Sequence, residues 1–111
     1  MEEQRFWSAY ETFARRLVLE WNTEREASPH STDGGKLILQ KAYDQLLNFA
    51  SDPVVSSHPG LSEIFSSLLI ELRSLQQHQL FIDGGKSWRE FWDKGSTVVQ
   101  RIESVPKEIR Q

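Results

Sequence analysis

The sequence predicts an all-α protein that folds as an antiparallel four-helix bundle, and three observations support this. Four segments repeat apolar residues at steps of three and four, which is the period of an amphipathic helix. Clusters of Gly, Pro, Ser and Asp separate these segments, and such clusters are typical of turns. A chain of 111 residues suits one hydrophobic core, so we expect a single domain over residues 1–111.

The first helix is predicted over residues 3–26. Eight apolar residues share one of its faces: Phe6, Trp7, Tyr10, Phe13, Ala14, Leu17, Val18 and Trp21. Leu19 lies away from that face and is therefore expected to be exposed. A leucine that points outward is a candidate contact for a protein partner.

The second helix is predicted over residues 36–50, after a turn at residues 28–35. Its apolar stripe consists of Leu39, Ala42, Tyr43, Leu46, Phe49 and Ala50, widened by Leu47. Residues 51–58 contain the pair Asp52-Pro53 and are predicted to form a loop. Within this loop, Val54 and Val55 are expected to plug one end of the core.

The third helix, predicted over residues 59–81, organises the rest of the chain. Pro59 suits its first turn, because the N–H that proline lacks would have no partner there. Seven residues form a continuous stripe that other helices must cover: Leu61, Ile64, Phe65, Leu68, Leu69, Leu72 and Leu75. Ile70 lies almost opposite this stripe, so it is expected to face outward and, like Leu19, to contact a partner.

The fourth helix is predicted over residues 86–104. Its apolar face consists of Trp88, Phe91, Trp92, Gly95, Val99 and Ile102. Gly95 within this face predicts the close approach of a neighbouring backbone. Pro106 is expected to end the helix and to leave residues 105–111 as a frayed tail. Trp88 and Trp92 are expected in the core, and the alternative is that they project as anchors into a protein partner.

The tetrapeptide Asp-Gly-Gly-Lys occurs twice, at residues 33–36 and 83–86, each time between two predicted helices. This repetition favours an architecture of two similar helical hairpins. We expect each Asp to cap a helix and the glycines to permit a tight turn. Because both turns lie at one end of an antiparallel bundle, the alternative is an anion site formed by Lys36, Lys86 and two helix N-termini.

Composition excludes several classes of function. The formal net charge of −3 and the pI of about 5.6 argue against a general nucleic-acid binder. The chain has no cysteine, which excludes disulfides, thiolate catalysis and Cys-type zinc sites. No apolar run approaches the roughly 20 residues that span a bilayer, and the N-terminus does not resemble a signal peptide. We therefore expect a soluble cytoplasmic protein that does not bind a membrane.

The sequence lacks the usual motifs of catalysis. No Glu precedes a His by three residues, as di-metal sites in helical bundles require, and His-Glu-x-x-His does not occur. A phosphate-binding loop and a Gly-x-Ser-x-Gly turn are also missing. We therefore expect no metal, no cofactor and no catalytic residue.

One segment, Arg73-Ser-Leu-Gln-Gln-His78, resembles the Arg-x-x-x-x-His motif of the HEPN ribonucleases. That family also consists of small helical bundles, and its Arg and His are implicated in RNA cleavage, usually at a site shared across a dimer. The resemblance implies that His78 acts as general acid or base and that Arg73 stabilises charge on the phosphorane. Five residues of regular helix turn by about 140°, so the two converge only on an irregular helix or across a partner chain.

The sequence favours a small acidic, non-enzymatic protein–protein interaction module, such as an adaptor, an assembly factor or an inhibitor of a protein partner. Its candidate partner-binding residues are Leu19, Ile70, Trp88 and Trp92, and self-association as a homodimer is one form that the interaction can take. The first alternative is a metal-independent ribonuclease with Arg73 and His78. The second is an immunity or antitoxin protein, whose acidity would complement a basic toxin.

Overall fold

The computed structural model describes residues 2–78 and 86–110, and over these residues the chain is helical. Five helices follow one another: α1 (Glu2–Ala27), α2 (Asp33–Ala50), α3 (Pro53–Ser56), α4 (Pro59–Gln76) and α5 (Lys86–Arg110). The described part of the chain contains no strand, so the predicted all-α class is confirmed. The four long helices correspond to the four predicted ones, and α3 is additional.

Each long helix packs against two others. α1 contacts α2 and α5, and α4 contacts the same two helices, so α1 and α4 face each other across the core. α1 and α5 run antiparallel, because Tyr10 contacts Ile102 while Arg25 contacts Asp93. The short α3 packs against α4, α1 and α2.

The apolar faces predicted from the sequence form one core. On α4 the buried residues are Leu61, Phe65, Leu68, Leu72 and Leu75, with Ile64 and Leu69 partly buried beside them. On α1 they are Phe6, Trp7, Tyr10, Ala14, Leu17 and Trp21, with Phe13 and Val18 partly buried. The prediction that the stripe from Leu61 to Leu75 faces the core is confirmed.

Aromatic rings fill both ends of this core. Near the start of α1, the ring of Tyr10 stacks on Phe65 with the centroids 5.6 Å apart, and Phe49 meets it edge-on at 5.3 Å. Near the end of α1, the centroids of Trp21 and Trp92 lie 4.6 Å apart. Offset and edge-on contacts are the favoured geometries of aromatic pairs. Packing in the core therefore accounts for most of the aromatic residues.

Three helix boundaries differ clearly from the prediction: the start of α2, the end of α4 and the end of α5. α2 begins at Asp33, so the first Asp-Gly-Gly-Lys forms its first turn and the N-cap is Thr32, not Asp33. α4 ends at Gln76, short of the predicted end at residue 81. Residues 79–85 lie outside the described residues, and with them most of the second tetrapeptide.

The predicted loop at residues 51–58 contains the short helix α3. Its N-cap is Asp52, whose carboxylate accepts a hydrogen bond of 2.9 Å from the backbone N–H of Val54. Pro53 occupies the first turn, where proline is tolerated. Val55 is buried and Val54 is partly buried, so both valines contribute to the core as predicted.

α5 continues through Pro106, and the prediction that this proline ends the helix is wrong. A proline inside a helix has no N–H for the carbonyl four residues earlier, which here belongs to Ile102. The hydroxyl of Tyr10 donates a hydrogen bond of 2.6 Å to that carbonyl instead. Val105 and Pro106 are buried and Ile109 packs against the core, so this segment is helix and not a frayed tail.

Two glycines make room for aromatic rings. A Cβ at Gly95 would overlap the indole of Trp21, so the close neighbour is a side chain and not the backbone that we predicted. A Cβ at Gly35 would lie 2.8 Å from Cε1 of Phe91 and 2.9 Å from Cη2 of Trp92. Gly35 therefore allows the first turn of α2 to approach the rings of α5, which corrects its predicted role in a tight turn.

Candidate functional site

Two of the predicted partner contacts lie on the surface. Leu19 is 68% exposed and Ile70 is 71% exposed, the highest values among the exposed large hydrophobic side chains of the described residues. Leu37 and Leu47 are exposed as well. Leu47 is 45% exposed, so the prediction that it widens the buried stripe of α2 is wrong.

Ile70 lies in the middle of the surface that we call the α4 outer face. This face consists of the exposed residues Ser62, Glu63, Ser66, Ser67, Ile70, Arg73 and Ser74. Its charged residues are Glu63 toward the N-terminal end and Arg73 toward the C-terminal end. Neither forms an ion pair with another residue in the described part of the chain. The α4 outer face is thus a mostly uncharged surface around one exposed isoleucine.

Leu19 is separate from that face, because it lies on α1, across the core from α4. Its exposed neighbours along α1 are polar: Arg15, Arg16, Glu20, Asn22 and Thr23. A single apolar side chain among polar ones is common on soluble proteins. Leu19 and Ile70 therefore do not combine into one apolar patch.

The two tryptophans proposed as partner contacts lie inward. Trp92 is only 2% exposed and packs against Trp21, so the structure does not support its predicted role as an anchor. Trp88 is half-buried, and its ring centroid lies 5.4 Å from that of His30. The indole N–H groups of both tryptophans are buried and have no hydrogen-bond partner among the described residues.

The predicted anion site has a different arrangement from the expected one. Nζ of Lys36 donates a hydrogen bond of 2.6 Å to the backbone carbonyl of His78 and is therefore engaged within the fold. Lys86 is exposed and is the first residue of α5. The contact of Lys36 with His78 places the start of α2 beside the end of α4. Asp83, Gly84 and Gly85 of the second tetrapeptide lie outside the described residues, so the predicted pairing of the two turns stays a prediction.

The structure does not bring Arg73 and His78 together. Arg73 is exposed on α4, whereas His78 lies just beyond the end of this helix and is half-buried. Nε2 of His78 lies 3.0 Å from the backbone carbonyl of Ser87, which only accepts, so this nitrogen carries the proton. No hydrogen bond joins the two side chains within the described residues. The arrangement holds the imidazole in place against the start of α5.

Surface grooves flank α5 on both sides. One, of about 260 Å³, lies between α4 and α5 and is lined by Glu71, Ser74, Leu75, Lys94, Thr97 and Val98. The other, of about 300 Å³, lies between α1 and α5 and is lined by Glu11, Ala14, Arg15, Glu103, Pro106 and Lys107. Neither lining includes a histidine, and each mixes acidic and basic side chains. These grooves therefore do not present an acid–base pair built around an imidazole.

Two further observations concern metals and membranes. Within residues 2–78 and 86–110, no three His, Asp or Glu side chains come together in a way that could hold a metal ion. None of the helices in the described ranges combines the length and the apolar character that crossing a bilayer requires.

Two links between α1 and α5 were not predicted from the sequence. The first is the hydrogen bond from Tyr10 to the carbonyl of Ile102. Burial raises the pKa of Tyr10 well above its ordinary range, and the nearby carboxylate of Glu108 adds to this shift. A proline inside an apolar stripe, with a tyrosine on a neighbouring stripe, is the signal that could have indicated this link.

The second link is centred on the hydroxyl of Ser96. It accepts a hydrogen bond of 2.9 Å from the indole N–H of Trp21 and another of 2.9 Å from Arg25. Arg25 also forms an ion pair of 3.0 Å with Asp93. Ser96 lies next to Gly95, so the glycine that accommodates the indole ring of Trp21 precedes the residue that binds its nitrogen. A serine after a glycine carries no signal for this role in a sequence alone.

Comparisons with known protein families, with curated proteins and with solved structures find no match to this chain.

Proposed function

We propose that the four long helices form an antiparallel four-helix bundle and that α3 closes one of its ends. Support comes from the ring of contacts, in which α1 and α4 each pack against both α2 and α5. The antiparallel pairing of α1 with α5 also fits this arrangement. In this proposal α1–α2 and α4–α5 are two similar helical hairpins.

We propose that the protein is a non-enzymatic protein–protein interaction module of the cytoplasm, acting as an adaptor, an assembly factor or an inhibitor of a protein partner. The observation that carries this proposal is Ile70, which is 71% exposed on a helix whose opposite face is buried. Burial of an isoleucine side chain is favourable by about 1.5–3 kcal/mol. A partner that covers Ile70 therefore gains a free energy of burial that folding of the single chain does not provide. A chain without cysteine suits a reducing compartment.

The hydrogen bonds of His78 and Lys36 also favour a binding function over a catalytic one. A catalytic base or an anion-binding lysine has to present a lone pair or a charge to its substrate. In this fold, Nζ of Lys36 donates to the carbonyl of His78, so its charge is engaged within the protein. Nε2 of His78 donates to the carbonyl of Ser87, which leaves only Nδ1 with a lone pair, and Arg73 forms no hydrogen bond with this imidazole among the described residues. Both groups serve to tie the ends of helices together.

The proposal is tested by site-specific photo-cross-linking in the native host. A photo-reactive side chain replaces Ile70 in one variant and the exposed Gln100 of α5 in a control variant. We expect one defined protein to be captured at position 70 and not at position 100. Excess purified wild-type protein should compete for that product, whereas excess Ile70→Ser protein should not. Identical products at both positions would contradict the proposal.

A further inference from the structure

We propose that the α4 outer face binds a second copy of this chain about a two-fold axis, with the two α4 helices antiparallel. This inference rests on the proposed interaction function and names its partner. A two-fold interface uses the same patch on both copies, so the patch must be complementary to itself. The α4 outer face meets this condition in its charges, its small side chains and the position of Ile70.

The charges of the face are complementary to themselves in the antiparallel orientation. Glu63 lies toward the N-terminal end of α4 and Arg73 toward the C-terminal end, with Ile70 between them. Two antiparallel copies bring each Glu63 toward the opposite Arg73. Two parallel copies would instead set like charges against each other. A partner surface of uniform charge would be repelled at one end of the face, so the charges favour a second copy over a strongly basic or acidic protein.

The middle of the face allows close contact. Between the charges its exposed residues are Ser66, Ser67 and Ile70. Small side chains let two helices approach to about 8–10 Å between their axes. The midpoint of Glu63 and Arg73 is residue 68, so a two-fold axis there sets the two copies of Ile70 about one helical turn apart. Each isoleucine then lies over the serines of the other copy and loses its exposure to water.

The test reverses each charge in a separate variant and then mixes the two variants. In Glu63→Arg protein both charges of the face are positive, and in Arg73→Glu protein both are negative. Each variant should therefore self-associate more weakly than wild type, with a dissociation constant raised roughly tenfold, because two attractive contacts become repulsive. A one-to-one mixture should associate as tightly as wild type, because each heterodimer again pairs opposite charges twice. Sedimentation velocity over a range of concentrations measures all three.

Four further variants separate the interface from the fold. Ile70→Ser should weaken self-association while the thermal unfolding temperature stays within about 2 °C of wild type, since this side chain is largely in water in the single chain. The chain has no native cysteine, so Ser66→Cys and Ile70→Cys proteins each carry one thiol. Mixed under oxidising conditions, they should form a disulfide-linked heterodimer faster than Leu19→Cys protein links to itself.

Three results would overturn the inference. One is wild-type protein that remains monomeric up to about 1 mM, the range of very weak association. Another is a mixture of the two charge variants that associates no better than either alone. The third is equal disulfide formation at Leu19 and on the α4 outer face. If wild type is monomeric while photo-cross-linking at position 70 captures a different protein, self-pairing fails and the proposed interaction function stands. If photo-cross-linking at position 70 captures neither a second copy nor another protein, self-pairing and the proposed interaction function both fail.

Discussion

The hydroxyl of Tyr10 lies 2.6 Å from the backbone carbonyl of Ile102 and donates a hydrogen bond to it. In a regular helix this carbonyl accepts from the N–H of residue 106, but residue 106 is a proline. A side chain of α1 thus supplies the donor that α5 lacks. The contact joins two helices and lets α5 pass through Pro106, at a site where Tyr10 and Ile102 are fully buried.

Removal of the Tyr10 hydroxyl should destabilise the protein. In Tyr10→Phe protein the buried carbonyl of Ile102 has lost its donor, which costs about 1–3 kcal/mol. Urea unfolding followed by circular dichroism measures this loss, and Tyr43→Phe, the same change at the half-buried tyrosine of α2, is the matched control. In a Pro106→Ala background the backbone regains an N–H, so the cost of Tyr10→Phe should fall. An equal cost in both backgrounds would contradict this explanation of the proline.

Stability should fall at alkaline pH because of the same tyrosine. Burial raises the pKa of Tyr10 above its ordinary value of 10.0, so the folded protein retains a proton that the unfolded chain releases. The contribution of Tyr10 is therefore intact below about pH 10 and declines above it, by up to about 1.4 kcal/mol per pH unit. Unfolding free energies of wild type and Tyr10→Phe, measured across this pH range, should converge as the pH rises. A constant difference between them would show that Tyr10 titrates normally.

Much of the fold could be predicted because helical periodicity is local. Leu61 to Leu75 repeats at steps of three and four, and a stripe of this kind has to be buried wherever the helix lies. Pro106 gave the wrong prediction for the opposite reason. A proline ends a helix when the carbonyl four residues before it has no other hydrogen-bond donor. Here that carbonyl belongs to Ile102, and its donor is Tyr10, which is 92 positions away in the sequence. The local pattern around Pro106 does not show which distant residue supplies that donor.

Gly95 should not tolerate a methyl group, in contrast to Gly60. Alanine is usually favoured over glycine inside a helix by about 1 kcal/mol. At Gly95 the added Cβ would overlap the indole of Trp21, whereas at Gly60 it would meet nothing within 4 Å beyond its chain neighbours and the backbone of its own helix. Gly95→Ala should therefore lower the unfolding free energy by about 1–3 kcal/mol, while Gly60→Ala should leave it unchanged or raise it slightly. Chemical denaturation of the two variants measures the difference, and equal effects would contradict the close packing of Trp21.

The candidate site was predicted in part, because exposure follows from helix geometry while contacts do not. The positions of Leu19 and Ile70 opposite apolar stripes predicted that both are exposed, and both are. The engagement of Lys36 with the carbonyl of His78 depends on how α2 and α4 meet. Trp92 belongs to the apolar face of α5. Because Trp21 packs against Trp92, its ring is not available to a protein partner.

Leu72 and Ile70 should respond differently to the same substitution, although they lie two positions apart on α4. Leu72 is fully buried, so Leu72→Ala removes methyl groups from a packed core and should cost about 2–5 kcal/mol. Ile70 is 71% exposed, so Ile70→Ala should change the unfolding free energy by less than about 0.5 kcal/mol. Both are measured by urea unfolding at low protein concentration, where self-association does not contribute. A loss of unfolding free energy below about 1 kcal/mol in Leu72→Ala protein would contradict the place of Leu72 in the core. A large loss in Ile70→Ala protein would show that Ile70 stabilises the single chain instead of binding a partner.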